Sequence, residues 1–590
     1  MKNTKHIILQ NSTKNQTVHD TYQALKKALF TRNRFNLFMS ILGALILSIE
    51  IILASWLVQQ SIDYVMGSGN ITFDFLVLSA ALIALLMLTA GLCVYFFRTQ
   101  FTVRAVQQYR ELATQIILRK SIADFERHNT AAYLSAMTND VNMIKINYLD
   151  QIPIIVQILI CSAGAVALMM YYNPLLTLIA LTISLVPTLA SMSSGKALAA
   201  ADLQVSDENA QYMGKLKDVL NGFGVIKSCI ASGSMGKNLS NQNNLLTSKL
   251  LVREKKLEKI NYYAALSGFI TQFAVLLVCV YFAVFKKTIS AGTIVVFTRL
   301  ITYIIDPVTN LPEMFSNVRS SLGMIKKFAV VLQTEEKNES AVLVEQAVFN
   351  NAIIMENLFY AYENGGEYVL RDWNITFEKG KKYMIVGTSG SGKSTLFRLL
   401  INTYSPTQGR IMIDHIPIHN LTPEALYKMV SIVYQKNFIF NDTILNNLTL
   451  FRDISFQELD TAIRRAALED VIEKRGWDYI CGEEGANLSG GECQRIAIAR
   501  SYLCHTPVLL FDEATSALDR QTSSKVLKGL LLNTEETVIA ITHVLDENVL
   551  MQCDAIIAVD KGRIAEMGSF SELMEREGYF YSLFWASQNS

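Results

Sequence analysis

Long apolar runs occupy much of the first half of the chain. Three of them contain no charged residue and exceed the roughly 20 helical residues that cross a bilayer core: residues 75–97, 151–195 and 260–285. Asn173 and Pro174 interrupt the middle run, which predicts two spans joined by a tight turn. Residues 35–58 and 291–315 form two further apolar runs that carry charged side chains inside them. Topology decides whether these two runs also cross a membrane.

The distribution of Lys and Arg predicts that topology. Positive side chains collect in three hydrophilic segments: residues 1–34, 98–150 and 195–259. Because an excess of Lys and Arg marks cytoplasmic loops, these segments are expected inside, and residues 59–74, which contain neither, outside. Both charged runs must then cross the membrane, so we predict six spans with both termini in the cytoplasm. Lys286 and Lys287 are a minor exception on the outer face.

The two predicted cytoplasmic connections, residues 98–150 and 195–259, have helical periodicity, so we expect helices that extend well beyond the membrane. The pattern changes after about residue 333. From about Val344, short apolar strands alternate with amphipathic helices, as in a parallel α/β sheet. The predicted parts are a cytoplasmic lead, a transmembrane domain with long intracellular loops, a linker and a soluble domain: residues 1–34, 35–333, 334–345 and 346–590.

Composition agrees with a membrane protein and excludes several other classes. The chain is 51% hydrophobic and only 18% charged, so part of it is expected to contact membrane lipid. A net charge of +1 argues against a nucleic-acid partner. The eight cysteines are scattered without a CxxC pair, which indicates neither a zinc site nor a disulfide framework.

A glycine-rich loop in the soluble domain fits the P-loop pattern GxxxxGK[ST]. It follows an apolar strand at residues 383–386 and precedes a helix that begins near Thr395. The matching residues are Gly387, Thr388, Ser389, Gly390, Ser391, Gly392, Lys393 and Ser394. Such a loop turns its backbone N–H groups around phosphates, so we predict ATP binding, with Lys393 on the β and γ phosphates and Ser394 on Mg²⁺.

Two adjacent carboxylates end a later apolar strand. Asp512 and Glu513 follow residues 508–511, all apolar. Since phosphoryl transfer depends on positioning and charge neutralisation, we expect Asp512 to hold Mg²⁺ through water and Glu513 to orient or deprotonate the attacking water. An isolated Asp-Glu pair is more often a solvated strand end, but here it lies downstream of a P-loop.

The string Leu-Ser-Gly-Gly-Glu at residues 488–492 completes a family pattern. Together with the motifs above, it resembles the nucleotide-binding domain of ATP-binding cassette (ABC) transporters over most of residues 346–590. The resemblance implies that this signature faces the γ-phosphate of ATP held by the opposite subunit, through Ser489, Gly490, Gly491 and Glu492. Glu492 and Cys493 depart from the family pattern, which most often has Gln and a polar or basic residue there.

The same resemblance assigns roles to four further residues. Gln435 matches the Q-loop, which touches Mg²⁺ and the transmembrane domain, and Asp519 matches the D-loop. His543 matches the switch histidine at the γ-phosphate, which together with Glu513 would be catalytic. Tyr362 is similar to the aromatic residue that stacks on adenine, and Tyr360 is the competing choice.

The order of membrane domain and cassette resembles half-size ABC exporters. Residues 125–141 and 220–227 look like their first and second intracellular loops. The resemblance implies ATP-driven alternating access by a dimer in a bacterial plasma membrane, most simply a homodimer, with a heterodimer as the alternative. The cargo could be a peptide, drug, lipid or siderophore-like molecule. A channel or sensor that only binds ATP is the other hypothesis, and Glu513 and His543 argue against it.

Three charges within the predicted spans are candidates for the translocation cavity. Glu50, Arg299 and Asp306 would be costly to expose to lipid, so we expect them to line a cavity and to select cargo of complementary charge. We expect Arg299 to pair with Glu50 or Asp306. The alternatives are an ion pair that only holds the helices together, or a place near the outer surface for Arg299.

Overall fold

A computed structural model describes residues 18–67, 71–184, 195–333, 344–363, 365–531 and 535–588. The chain forms two compact units, which are described separately. The first unit comprises Met1–Arg119 and His128–Gln333, and the second comprises Lys120–Arg127 and Thr334–Ser590.

The first unit is helical. Its α-helices are α1 (Arg34–Val65), α2 (Phe73–Leu118), α4 (Thr130–Ser135), α5 (Val141–Ile144), α6 (Gln151–Tyr172), α7 (Pro174–Ile183), α8 (Gly195–Asn221), α9 (Phe223–Ser228), α10 (Ser232–Tyr281), α11 (Ala291–Leu300) and α12 (Thr302–Leu332). Helix α3 (Ile122–Glu126) lies between α2 and α4 in the sequence but belongs to the second unit. Three π-helical segments continue these helices: Ala136–Asp140, Lys145–Leu149 and Phe282–Lys286.

Five helices in the described part of the chain are long and apolar enough to cross a membrane: Arg34–Val65, Phe73–Leu118, Ala132–Tyr172, Ser232–Lys286 and Ala291–Leu332. The predicted break at Asn173 and Pro174 is confirmed, because the Asn173 side chain accepts a hydrogen bond from Leu176 N and caps α7. Of the sixth predicted span, the structure describes Pro174–Ile183, and residues 185–194 lie outside the described residues.

The long helices extend far past any bilayer core. Helix α10 has 50 residues, which at 1.5 Å per residue is about 75 Å of helix, against an apolar core of about 30 Å. Residues 98–150 and 195–259, which the sequence predicts to be helical connections, are largely helical, and their cytoplasmic location stays a prediction. Close packing joins α1 to α2, because a Cβ atom on Gly43 would lie 2.7 Å from the Val94 side chain.

The second unit contains two sheets. Its strands are β1 (Ala352–Tyr360), β2 (Leu370–Glu378), β3 (Lys382–Gly387), β4 (Gln408–Ile413), β5 (Ile416–Pro417), β6 (Val430–Val433), β7 (Val508–Asp512), β8 (Thr537–Ile541), β9 (Ala555–Asp560) and β10 (Arg563–Gly568). The six-stranded sheet has the order β10-β9-β3-β8-β7-β6 and is parallel except for β10. A four-stranded antiparallel sheet has the order β2-β1-β4-β5.

Helices surround these sheets. They are α13 (Lys393–Leu400), α14 (Pro423–Met429), α15 (Ile444–Thr449), α16 (Phe456–Arg465), α17 (Glu469–Arg475), α18 (Gly490–Tyr502), α19 (Arg520–Leu531), α20 (Glu547–Leu550), α21 (Phe570–Glu575) and α22 (Tyr579–Gln588), with short 3₁₀ turns at Ile418–Asn420 and Glu483–Gly485. Alternate residues of β3 enter two hydrophobic clusters, Met384 on one face and Ile385 on the other. Both faces of the parallel sheet are therefore covered, and ligands can approach only along its edges.

Candidate ATP site

The P-loop joins β3 to α13 at the carboxyl edge of the parallel sheet. Gly392 has φ +97°, and a Cβ atom there would lie 2.7 Å from the Leu370 side chain. At Gly387, a Cβ atom would lie 2.3 Å from the carbonyl oxygen of Val559. Larger residues cannot occupy either position without moving the backbone, so these two glycines set the shape of the loop.

Two buried polar side chains of the P-loop, Lys393 and Ser391, differ in their hydrogen bonding. Lys393 is buried, and its Nζ donates to the carbonyl oxygens of Gly387 at 2.9 Å and Thr388 at 2.8 Å. Burial lowers the pKa of Lys393, although Glu513 and Asp512 oppose this effect. The buried hydroxyl of Ser391 has no hydrogen-bond partner. An orphaned hydroxyl beside a buried ammonium group fits an anionic ligand in the loop.

The predicted metal-binding residues include a suitable pair of oxygen donors. The Ser394 hydroxyl donates to Asp512 Oδ1 at 3.1 Å. Burial raises the pKa of Asp512, whose carboxylate ends β7. A hydroxyl and a carboxylate are oxygen ligands of the type that Mg²⁺ prefers, so these residues fit the cation.

Glu513 lies between Gln435 and His543. Gln435 Nε2 donates to Glu513 Oε2 at 2.6 Å, and Glu513 Oε1 lies 2.8 Å from His543 Nε2. The three residues follow β6, β7 and β8, which are neighbours in the sheet. Glu513 has φ +50°, a strained conformation for a residue with a side chain, and its N–H donates to Ile541 O at 3.1 Å. The structure thus brings these three predicted site residues together.

The two candidate adenine-stacking residues differ in exposure. Tyr362 is 59% exposed, and its hydroxyl lies 2.9 Å from Thr395 Oγ1, at the start of α13. Tyr360 is only 6% exposed and stacks on Tyr404 with ring centroids 5.3 Å apart and an interplanar angle of 10°. An exposed ring is required for stacking on a ligand, so the geometry favours Tyr362. Tyr360 belongs to the hydrophobic core.

The signature string begins α18. The Ser489 hydroxyl accepts from Glu492 N, while the Glu492 carboxylate accepts from Ser489 N, so the two residues form a capping box. Gly491 packs against Ala517, since a Cβ atom on Gly491 would lie 3.1 Å from the Ala517 carbonyl oxygen. None of the hydrogen bonds described for Ser489 reaches the P-loop.

Asp519 caps the next helix. Its Oδ1 accepts from the backbone N–H groups of Gln521 at 3.1 Å and Thr522 at 3.0 Å, and hydrogen bonding at Thr522 lowers its pKa. Within one chain, Asp519 therefore has a structural partner. Its predicted contact with ATP stays a prediction.

Sequence reasoning missed several polar contacts around this site. Gln494 links the signature helix to the segment before Asp519: its Nε2 donates to Ser516 Oγ at 3.1 Å and its Oε1 accepts from Ala517 N at 3.0 Å. Arg398 of α13 donates to the Tyr404 hydroxyl at 3.0 Å and to Glu126 of α3 at 3.4 Å. No motif marks these residues, and all of these contacts except that between Arg398 and Tyr404 join segments more than 20 positions apart.

The three predicted cavity residues belong to the first unit. Glu50 is buried, whereas Arg299 is exposed and Asp306 partly exposed. Helix α1 continues to Val65, beyond the predicted end of the first span at residue 58. It therefore includes Asp63, which the sequence pattern places in an outer loop. Asp63 is buried and accepts hydrogen bonds from Gly292 N at 3.0 Å and Ser290 Oγ at 2.9 Å.

Comparison with known proteins places this architecture in a family. Residues 370–516 match the ABC transporter family, and residues 37–308 match the ABC transporter transmembrane region. The chain is 30% identical over 474 residues to the ATP-dependent lipid A-core flippase of Sodalis glossinidius, covering 78% of this chain and 80% of that protein. It is 28% identical to the flippase of the same name from Haemophilus ducreyi, over 92% of this chain and 95% of the relative.

A solved structure supports the same fold. A bacterial Atm1-family ABC exporter with ATP bound superposes with a TM-score of 0.82 at 24% identity, covering 94% of this chain and 98% of the other. The predicted fold class, a helical membrane domain followed by an α/β nucleotide-binding domain, is confirmed. The chain belongs to the ABC transporters: it is a multi-pass half-size exporter whose ATP-binding domain hydrolyses ATP to drive transport.

Proposed function

We propose that two copies of this chain form a homodimer with two composite ATP sites. Each site would combine the P-loop of one copy with the signature residues Ser489, Gly490 and Gly491 of the other. The observation that supports hydrolysis at each site is the placement of Glu513 between Gln435 and His543. The sharing of each site is supported by Ser489, whose described hydrogen bonds do not reach the P-loop of its own chain. A heterodimer is the alternative arrangement.

Each residue of the site has a defined task in this proposal. Lys393 exchanges its two loop carbonyls for phosphate oxygens, and Tyr362 stacks on the adenine. Ser394, Asp512 and Gln435 hold Mg²⁺, which neutralises phosphate charge when bound. Glu513 accepts a proton from the attacking water, and His543 keeps the carboxylate oriented.

Mixing two inactive variants tests the composite site. In a heterodimer of a Lys393→Ala chain and a Ser489→Ala chain, one site combines both defects and the other combines two intact halves. We expect each variant alone to lose ATPase activity and the purified mixed dimer to recover about half of the wild-type rate. Absence of activity in the mixed dimer would refute the sharing of one ATP between chains.

We further propose that ATP-driven closure of the two cassettes opens the membrane domain outward by alternating access. The chain would work in a bacterial plasma membrane with its termini in the cytoplasm. Helices of about 75 Å, such as α10, support transmission from the cytoplasm, since they extend well beyond the bilayer. The cargo is a peptide, drug, lipid or siderophore-like molecule, and the flippase relatives make lipids the first candidates to screen.

Reconstitution separates transport from the alternative function. An exporter in inverted vesicles accumulates cargo in proportion to the ATP hydrolysed, whereas an ATP-gated channel or sensor conducts or signals without net accumulation. A cargo screen by stimulation of ATPase activity identifies the molecule to use. Accumulation that persists in Glu513→Gln vesicles would contradict coupling to hydrolysis.

The charged residues of the membrane domain are proposed to select the cargo. Glu50 is buried in α1, whereas Arg299 of α11 is exposed and Asp306 of α12 is partly exposed. Neutralising Glu50 and Arg299 singly is expected to abolish cargo stimulation of the ATPase while preserving its basal rate and thermal stability. Destabilised single variants that the double variant rescues would instead identify a structural ion pair.

A further inference from the structure

The signature helix carries an unusual charge for its proposed task. Glu492 is the third residue of α18 and is only 9% exposed. Its Oε2 accepts from Ser489 N at 2.7 Å, beside the hydroxyl that is proposed to face the γ-phosphate. A carboxylate stabilises the N-terminus of an isolated helix, but it repels a phosphate that approaches the same N-terminus.

Arg475 binds both oxygens of this carboxylate. Its Nε lies 3.1 Å from Glu492 Oε1, and its Nη2 lies 3.1 Å from Oε2. Burial opposes ionisation of Glu492, but hydrogen bonds from Ser489 and Arg475 hold its pKa below the usual range. The pair is therefore an ionised, bidentate one, the geometry in which arginine binds carboxylates most strongly.

A second contact fixes the position of Arg475. Arg475 is the last residue of α17, and its guanidinium lies over the Tyr479 ring at 4.7 Å from the centroid. The Tyr479 hydroxyl donates to the Asn487 carbonyl at 3.3 Å, two residues before Ser489. The arginine is thus attached to the signature segment at two points, the carboxylate of Glu492 and the ring of Tyr479.

Two other capping boxes in the same domain provide a comparison. Ser455 with Glu458 begins α16, and Ser569 with Glu572 begins α21. Glu458 has a histidine partner, His505, at 3.3 Å. Among the three capping boxes in the described residues, an arginine binds both carboxylate oxygens only at the signature helix. Capping alone therefore does not require Arg475.

We propose that Arg475 is a positioning residue for ATP: it neutralises Glu492, so that the N-terminus of α18 can receive the γ-phosphate of a nucleotide bound by the partner subunit. The inference rests on the proposed composite site. In this arrangement, the negative charge at position 492 is tolerated only because position 475 is an arginine.

The test uses the ATP dependence of hydrolysis by the full-length chain. We expect Arg475→Ala to raise the KM for ATP about tenfold, the effect of one uncompensated charge near the phosphate, with kcat at saturating ATP within about twofold of wild type. Glu492→Gln removes the charge but keeps an acceptor for the capping box, so the double variant is expected to regain a KM close to wild type. Arg464→Ala, which breaks the exposed pair with Asp460, is the matched control.

Three results would overturn the proposal. They are a wild-type KM in Arg475→Ala, a raised KM that Glu492→Gln does not rescue, and a loss of thermal stability in Arg475→Ala that accounts for its loss of activity and persists in the double variant. The mixed-dimer experiment tests the composite site separately. If Glu492→Gln restores the KM but the mixed dimer is inactive, the shared site is refuted. The neutralisation of Glu492 by Arg475 would then act on ATP bound by the same chain.

Discussion

Replacing Glu513 by Gln is expected to stop ATP turnover while ATP binding is preserved. The amide has nearly the shape of the carboxylate, so its oxygen can still accept from Gln435 Nε2, which lies 2.6 Å from Glu513 Oε2. Its NH₂ group can donate to His543 Nε2, now 2.8 Å from Oε1, when the imidazole carries its proton on Nδ1 instead of Nε2. Geometry is therefore kept on both sides, and only the capacity to accept a proton is lost.

The size of the effect follows from that single loss. General-base catalysis contributes roughly 10²- to 10⁴-fold, which corresponds to about 3 to 5 kcal/mol in the activation free energy. The phosphate cradle around Lys393 is not altered, so the dissociation constant for ATP should stay within about threefold of the wild-type value. Bound ATP should then accumulate in a closed dimer.

Single-turnover hydrolysis and equilibrium ATP binding, measured on the same preparation, test this expectation. Glu547→Gln is the matched control, because Glu547 is an exposed glutamate at the start of α20 and lies outside the site. A Glu513→Gln rate within about tenfold of wild type would refute the assignment of the base. A large loss of ATP affinity would instead show that Glu513 acts in binding.

Three further predictions concern the same domain. Lys393→Ala should weaken ATP binding and stop both hydrolysis and transport, because the cradle loses its buried ammonium group; unchanged affinity in a nucleotide titration would place Lys393 outside the site. Glu513→Gly should leave the free energy of unfolding within about 1 kcal/mol of wild type while hydrolysis is lost, because relief of strain at φ +50° offsets the loss of two side-chain hydrogen bonds and the greater freedom of glycine in the unfolded chain; a larger loss of stability in thermal melting would contradict stored strain. Arg465→Ala should lower the free energy of unfolding of the cassette by about 3 kcal/mol, since it removes the largely buried partner of Glu536. Arg465 Nη1 and Nη2 now donate to the two Glu536 carboxylate oxygens at 3.0 and 2.6 Å. A loss of stability in denaturant unfolding that is no greater than that of Arg464→Ala would contradict this prediction.

Sequence patterns predicted the elements around the site because each motif is local. Each motif is an apolar strand followed by a residue or loop of distinctive chemistry, and it occupies only about ten positions of the sequence. Four such strands are followed by the P-loop, Gln435, Glu513 and His543. Their strands are confirmed as β3, β6, β7 and β8 of one sheet. The roles of the side chains stay predictions until ATP hydrolysis is measured in the variants.

Contacts between distant segments had no comparable signal. Arg475 and Glu492 are separated by 17 positions, and Arg465 and Glu536 by 71, so neither pair produces a periodic pattern. The antiparallel sheet β2-β1-β4-β5 differs from the single parallel sheet that the sequence pattern predicts. Burial along β2 alternates, which is the period expected for a sheet with one covered face.

The base and the signature helix differ in how far one chain can place them in the proposed site. Gln435, Glu513 and His543 follow three adjacent parallel strands about 4.8 Å apart, so the sheet fixes their spacing without help from nucleotide. The base is thus prearranged in a single chain. Ser489 instead caps α18, and the hydrogen bonds described for Ser489 stay within the signature segment. If the partner copy supplies that helix, as proposed, closure of the dimer is the step that completes the site, and the ATPase rate becomes a measure of closure.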